Sequence, residues 1–324
     1  MGNEAVVKAA LKAGINFYSA YPITPASEIT QGIAGRKEIK SIQAEDEIAA
    51  INMCVGASLA GAKTFTATSG PGFSLKQEAI GLAFRVESPL VIIDSQRVGP
   101  STGIPTMPAQ GDILQAKHGT HGDYASIVFY PNSVEESYKY FIEAVNAAEE
   151  SLSPVIFLMD GYLSQMYETA DLESIKFNLK QRDKKPLGEG KRHFTGLTPK
   201  DPQAYRTWWA ERKKKILDTA EKYNYYEYIE NKNSDILLIA YGITSRVILP
   251  LKEQYSIFRP IRMFPVIEDL KGIAKKYKKI VVVEMNDGQY RHELEAFLKR
   301  DIELISQLGG KVSLKEIKDG LGIR

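Results

Sequence analysis

Cysteine is almost missing from this chain of 324 residues. Cys54 stands alone, which excludes an internal disulfide and any iron–sulfur cluster held by cysteines of this chain. An excess of charge of one sign is lacking too: 42 Lys and Arg face 40 Asp and Glu, for a net charge of +2. No basic stripe marks a nucleic-acid footprint, and Lys213-Lys214-Lys215 reads as a solvated helix face. No apolar run reaches the length that spans a bilayer, and no signal-peptide pattern opens the chain. No membrane association is expected, and a reduced, cytoplasmic setting is. Histidine is scarce as well, limited to His118, His121, His193 and His292. His118 and His121 could form half a metal site, but no third ligand stands near them and zinc needs three or four. No metal site is expected in this chain.

Phosphate-binding signatures are also absent. Gly70-Pro71-Gly72 follows an expected strand, but no Lys-Ser/Thr pair comes after it and the third glycine of a dinucleotide fingerprint is missing. Pro71 has no amide to donate. A tight turn beside the ligand edge fits better than a phosphate cradle.

What is present is a chain of ordinary composition, 44% hydrophobic and 25% charged, with material for two cores. Residues 1–163 alternate strand and helix patterns, which predicts a doubly wound parallel sheet covered on both faces. Asn3 can cap a first helix; an apolar run then stops at Pro22, and Thr24-Pro25 reads as a helix cap followed by proline at the first helical position. A short strand ends at Glu45, before a helix whose stripe is Ile48, Ile51, Val55 and Leu59. Ser133 and Glu136 form a capping box. Residues 164–232 are polar, carry Pro186 and Pro199, and hold one long charged helix; they read as a linker or insertion. Residues 233–324 resume the alternation as a second, smaller α/β domain.

Three residues stand where a strand gives way to the next element, the edge at which open α/β sheets bind ligands. Thr24 is a helix cap or a ligand contact. Glu45 is a first-turn acid or a functional carboxylate near a helix N-terminus. Arg97 follows a buried strand in a long loop and is a surface ion pair or a fork for a carboxylate.

Tyr21-Pro22-Ile23-Thr24-Pro25, Gln43-Ala44-Glu45-Asp46-Glu47, Thr66 to Gly72, Arg97 to Thr106, His118 to Asp123 and Glu284-Met285-Asn286 occur in one order along nearly the whole chain. This pattern resembles the α subunit of 2-oxoacid:ferredoxin oxidoreductases, and is closest to the 2-oxoglutarate-type branch. The resemblance implies a thiamine diphosphate pyrimidine-binding domain followed by a transketolase C-terminal-like domain. It assigns Glu45 to N1′ of the aminopyrimidine, with Tyr21, Pro22, Ser69 and Gly70 beside the cofactor, and gives Thr24, Arg97 and Thr106 the substrate carboxylate. His121 becomes a candidate polar contact in the active cleft. Neither Gly111-Asp112-Ile113 nor Gly122-Asp123-Tyr124 completes the Gly-Asp-Gly segment that holds Mg2+ and the diphosphate in such enzymes. A β subunit is therefore expected to supply that half, with [4Fe-4S] clusters on partner polypeptides, γ/δ-type subunits or domains, ferredoxin as electron acceptor and coenzyme A as co-substrate. The implied reaction is oxidative decarboxylation of a 2-oxoacid to acyl-CoA. Half of a non-redox thiamine enzyme and a non-catalytic scaffold subunit are the alternatives.

Overall fold

A computed structural model of the chain describes residues 1–183 and 201–323. Helix α1 (Gly2–Lys12) leads into β1 (Phe17–Ala20), α2 (Ser27–Ile33), β2 (Lys40–Gln43), α3 (Glu47–Leu59), β3 (Thr64–Thr68), α4 (Gly70–Arg85) and β4 (Leu90–Val98). A hairpin arm β5 (Ile104–Pro108) comes next, then α5 (Ile113–His118), β6 (Ile127–Phe129), α6 (Val134–Ser151), β7 (Pro154–Asp160) and α7 (Gly161–Gln165). The remainder comprises α8 (Pro202–Lys222), β8 (Tyr226–Ile229), β9 (Ile236–Ile239), α9 (Gly242–Ile248), β10 (Ser256–Pro260), β11 (Arg262–Phe264), α10 (Asp269–Ala274), β12 (Lys279–Glu284), α11 (Gln289–Leu298), β13 (Glu303–Ser306) and α12 (Leu314–Gly320).

The first sheet runs in the order β11-β6-β7-β4-β3-β1-β2, and the second β13-β12-β9-β10-β8. Strands β6, β7, β4, β3, β1 and β2 are mutually parallel, so helices must cross over both faces. The sequence of β4 shows why it is central: Leu90 to Arg97 are all buried, as a strand covered on two sides requires. One core lies between the sheet and α1, α2 and α6, and a second lies under α3 and α4 and continues into the second sheet.

Three features depart from the sequence reading. The first sheet is mixed, because β5 pairs β4 and β11 pairs β6 antiparallel. Strand β11 belongs to the C-terminal half yet completes the N-terminal sheet, and Tyr130 N donates to Ile261 O at 2.8 Å beside it. Strand β8 lies inside the stretch read as linker and pairs β10. Tyr-Glu-Tyr-Ile is four residues on a sheet edge, too short for its alternation to stand out from a polar surround.

The described residues of the 164–232 stretch are anchored. Arg182, nearly buried, pairs Glu149 at 2.6 Å and donates to Ser58 O and Ala62 O. Asn146 accepts from Lys180 N at 2.9 Å, so this asparagine secures the strap across α6. Helix α8 docks Ile216 and Ala220 in the first core, and Arg212 donates to Ser151 O and Leu152 O. Trp208 packs edge-on against Phe84. Pro186, His193 and Pro199 lie outside the described residues.

Candidate active site

The parallel strands β4, β3, β1 and β2 are neighbours in that order and end on one edge. Arg97 is the penultimate residue of β4, Ser69 and Gly70 follow β3, Tyr21 to Thr24 follow β1, and Glu45 follows β2. The sequence-predicted residues thus share one rim. Three interstrand steps of about 4.8 Å separate Arg97 from Glu45, roughly 14 Å in all. They stand at the two ends of a shared surface rather than in contact.

Arg97 is 8% exposed. One terminal nitrogen donates to the Thr24 carbonyl at 2.9 Å, and its buried Nε has no partner. Among the described residues no carboxylate pairs with it. A buried guanidinium without a paired carboxylate is costly, and Asp112, on the same cavity, is the acid whose charge it favours. Thr106 is exposed on the β5 arm, whose pairing begins at Arg97 opposite Pro108.

Thr24 is not a helix cap. Helix α2 starts at Ser27 with Ala26 as its N-cap, and the Thr24–Pro25 bond is cis. Two carbonyls that a helix from Pro25 would use are already taken: Arg97 binds that of Thr24, and Asn3 Nδ2 binds that of Pro25 at 2.8 Å. Asn3, expected as a cap for α1, is instead buried beneath this loop and also donates to Glu28.

Glu45 lies just before α3, whose N-cap is Asp46, accepting from Ala49 N at 2.7 Å. It is exposed, and its carboxylate makes no hydrogen bond or ion pair within the described residues. Glu45 is therefore not a first-turn acid. Ile48, expected in the core stripe, is 50% exposed beside it, and Tyr21 is 41% exposed. Gly70-Pro71-Gly72 is the first turn of α4 rather than a separate turn, with Ser69 as N-cap and proline where its missing amide costs nothing. Gly72 is required by close approach: a Cβ there would sit 2.2 Å from Thr68 Oγ1 and 2.5 Å from Glu47 Oε1. Beneath this corner Lys76 is fully buried and donates to the Glu47 carbonyl and Thr66 Oγ1. Desolvation lowers its pKa to about 8.

His121 lies apart from the rim. It lines a separate cavity of about 370 Å³ with Arg85, Tyr205 and Trp208, against the C-terminal half of α4. That helix has 16 residues and is about 24 Å long at 1.5 Å per residue, so this cavity is far from the rim at Gly70. His118 is exposed, with Nε2 3.8 Å from Glu293. Among the described residues no group of three His, Cys, Asp or Glu side chains could hold a metal ion.

The rim opens into a cavity of about 590 Å³ between the two sheets, lined by Gly70, Arg97 and Asp112 on one side and Asn286, Asp287 and Gln289 on the other. Glu284 and Asn286 are explained here. Asn286 Nδ2 donates to Gln110 O at 2.6 Å and to Glu284, while Tyr241 OH donates to Glu284 at 2.5 Å. Asp160 accepts from Ile243 N and Tyr130 OH. These buried groups clasp the two units around the cavity. Local sequence signals miss them because their partners lie over 80 or 170 residues away.

The family model for pyruvate flavodoxin/ferredoxin oxidoreductase, thiamine diphosphate-binding, matches residues 8–232. The chain belongs to this family of 2-oxoacid:ferredoxin oxidoreductases. A curated member, 2-oxoglutarate synthase subunit KorA of Methanocaldococcus jannaschii, is 39% identical over 356 residues, covering 97% of this chain and 96% of the relative. Among solved structures, the 2-oxoglutarate:ferredoxin oxidoreductase from Magnetococcus marinus, with 2-oxoglutarate, coenzyme A and succinyl-CoA bound, superposes with a TM-score of 0.90 at 29% identity. The match covers 99% of this chain and 64% of that one. A split-gene transketolase, an inactive β4 tetramer, superposes with a TM-score of 0.61 at 12% identity, covering 99% of this chain and 95% of the other; it shares the fold. The resemblance read from the motifs, the α/β class and the thiamine-binding character of the first domain are thus met. In this oxidoreductase family chain the donor set suits half of thiamine diphosphate. An exposed carboxylate, without a partner among the described residues, stands beside Tyr21 and Ile48 and suits an aminopyrimidine edge, whereas among the described residues no group of three His, Cys, Asp or Glu gathers for the metal.

Proposed function

We propose that this chain is the α subunit of a 2-oxoglutarate:ferredoxin oxidoreductase that converts 2-oxoglutarate, coenzyme A and two oxidised ferredoxins to succinyl-CoA, CO2, a proton and two reduced ferredoxins. The observation that carries this reading is Arg97, a buried guanidinium without an anion on the rim that also holds Glu45. Arg97 binds the 1-carboxylate of the 2-oxoacid, aided by the hydroxyls of Thr24 and Thr106. Glu45 shares a proton between its carboxylate and N1′ of the pyrimidine, and Tyr21, Pro22, Ser69 and Gly70 flank that ring. When bound, thiamine diphosphate supplies the nucleophile for the substrate carbonyl and the electron sink for loss of CO2. A β subunit covers the exposed Tyr21 and Ile48 and brings Mg2+ and the diphosphate half. Partner polypeptides of γ/δ type and [4Fe-4S] clusters pass electrons singly to ferredoxin, as this chain's one buried cysteine requires. Among the described residues no helix is long and apolar enough to cross a membrane, which accords with assembly in the cytoplasm.

The test is co-purification with the neighbouring subunits, then viologen reduction dependent on coenzyme A with 2-oxoglutarate, pyruvate and 2-oxobutyrate. Preference for 2-oxoglutarate, and loss of turnover without loss of assembly in Glu45→Ala, are expected. Release of CO2 with an aldehyde product, and no viologen reduction or acyl-CoA, would mark a non-redox relative and refute the proposal.

A further inference from the structure

Asp94 on β4 is completely buried, and among the described residues neither of its carboxylate oxygens has a hydrogen-bond donor. Its carboxyl interacts with another acid, Asp112, the N-cap position of α5, whose Oδ2 has no partner among the described residues and lies 3.2 Å from where a Cβ on Gly70 would stand. Gln96 Oε1 accepts from Asp112 N at 2.9 Å and fixes this acid against the strand. Two abutting carboxyls with no donor between them must share a proton, because two bare charges there would be uncompensated. Asp112 lines the same cavity as Arg97.

We infer that the Asp94–Asp112 pair is a proton-holding positioning device that sets how strongly Arg97 attracts the carboxylate of the 2-oxoacid. This rests on the substrate reading above. When the pair is fully protonated, Arg97 meets the substrate as an uncompensated cation. When Asp112 gives up its proton, its negative charge offsets the guanidinium and repels the incoming carboxylate. Burial pushes both carboxyls up, Asp94 well above the ordinary range and Asp112 to about 6, with Arg97 restraining the latter. The other groups facing the pair are Tyr130, just after β6, which feels Asp94, with Asp160 of β7 behind it, and Asp287 across the cavity. The α4 and α5 linings, Gly70, Ser74 and Gln115, carry no charge.

The experiment measures KM and calorimetric affinity for 2-oxoglutarate on the assembled complex from pH 5.5 to 7.5, where its carboxylates stay ionised. In the wild type, KM should rise roughly tenfold across this range, the effect of one charge acting over about 10 Å at an effective dielectric near 20. Asp112→Asn removes the charge and should hold KM low and flat. Asp94→Asn gives Asp112 an amide donor, keeps it ionised, and should hold KM high and flat. In all three, KM should move more than kcat, which general loosening of the fold would not produce. A wild-type KM that is flat, or a step that survives in both variants, overturns the inference while leaving the substrate reading intact. A flat wild-type curve decides the matter even if a variant fails to assemble. A complex that neither binds nor turns over any 2-oxoacid overturns both.

Discussion

Replacing Arg97 separates what the rim does for substrate from what it does for the fold. The side chain is 8% exposed and its one hydrogen bond goes to the Thr24 carbonyl at 2.9 Å. In Arg97→Met the volume is nearly kept, while the charge and the planar fork are lost. A buried charge-assisted carboxylate pair is worth about 2–5 kcal/mol when one partner is truncated. That is a rise in KM for 2-oxoglutarate of roughly 30-fold or more, at about 1.4 kcal/mol per decade. Arg97→Lys keeps the charge on a single point that cannot serve Thr24 and a carboxylate together, so about tenfold is expected. Stability should move the other way. Without substrate, and below about pH 6 where Asp112 keeps its proton, the guanidinium is an uncompensated buried cation, and only the Thr24 bond, worth about 1–2 kcal/mol, opposes its removal. The melting temperature of Arg97→Met should therefore match or exceed that of the wild type. Steady-state viologen reduction on the assembled complex, with a parallel thermal melt, reads both quantities. A KM within twofold of the wild type, or a raised KM accompanied by a melting temperature lowered by many degrees, would refute this reasoning.

Gly72→Ala places a Cβ 2.2 Å from Thr68 Oγ1 and should destabilise the chain by about 1–3 kcal/mol, seen as a lower denaturant midpoint. Arg259 is buried between Glu136 at 2.6 Å and Glu227 at 2.9 Å. Arg259→Ala strands Glu136 at the junction of the two units and should cost about 3–5 kcal/mol, again read by denaturant unfolding. Lys76→Met removes the donor to the Glu47 carbonyl and should cost about 1–3 kcal/mol; a midpoint equal to the wild type would show that the carbonyl finds another donor. Asp94, Asp112, Asp160 and Glu284 all have raised folded-state pKa values because they are buried. The native state then binds more protons than the unfolded one. Their contribution is full below the ordinary carboxylate range and is lost as pH rises through each raised value, that of Asp112 at about 6. Melting temperature should fall over that window, and Asp94→Asn should flatten the fall.

The rim was legible because strand-to-helix handovers leave local marks: Pro22 stopping an apolar run, Glu45 ending a short strand before a helix, Arg97 following the apolar run Leu-Val-Ile-Ile. Parallel alternation then forces those marks onto one edge. What escaped was decided by long-range partners. Thr24-Pro25 has the look of a helix start, but Arg97 and Asn3 claim the carbonyls such a start would need. The glycines around His121 suggest a shaped cleft, yet nothing nearby in sequence says which end of α4 that loop will meet. The β11 exchange and the Asp94–Asp112 meeting are equally invisible to periodicity, since their partners are fixed by tertiary packing. The family resemblance supplied the choice of Glu45 over Asp46 and Glu47, which spacing alone left open.

Strand β11 carries one more implication. Because a ribbon of the C-terminal lobe is sewn into the N-terminal sheet, with Arg259 riveted to Glu136 next to the seam, the lobes cannot swing apart without tearing backbone pairing. The gap between them is a fixed jaw. On the proposal that a β subunit covers the rim, that subunit governs admission and release of ligands, and amide exchange should find the β6–β11 seam among the slowest-opening parts of the molecule.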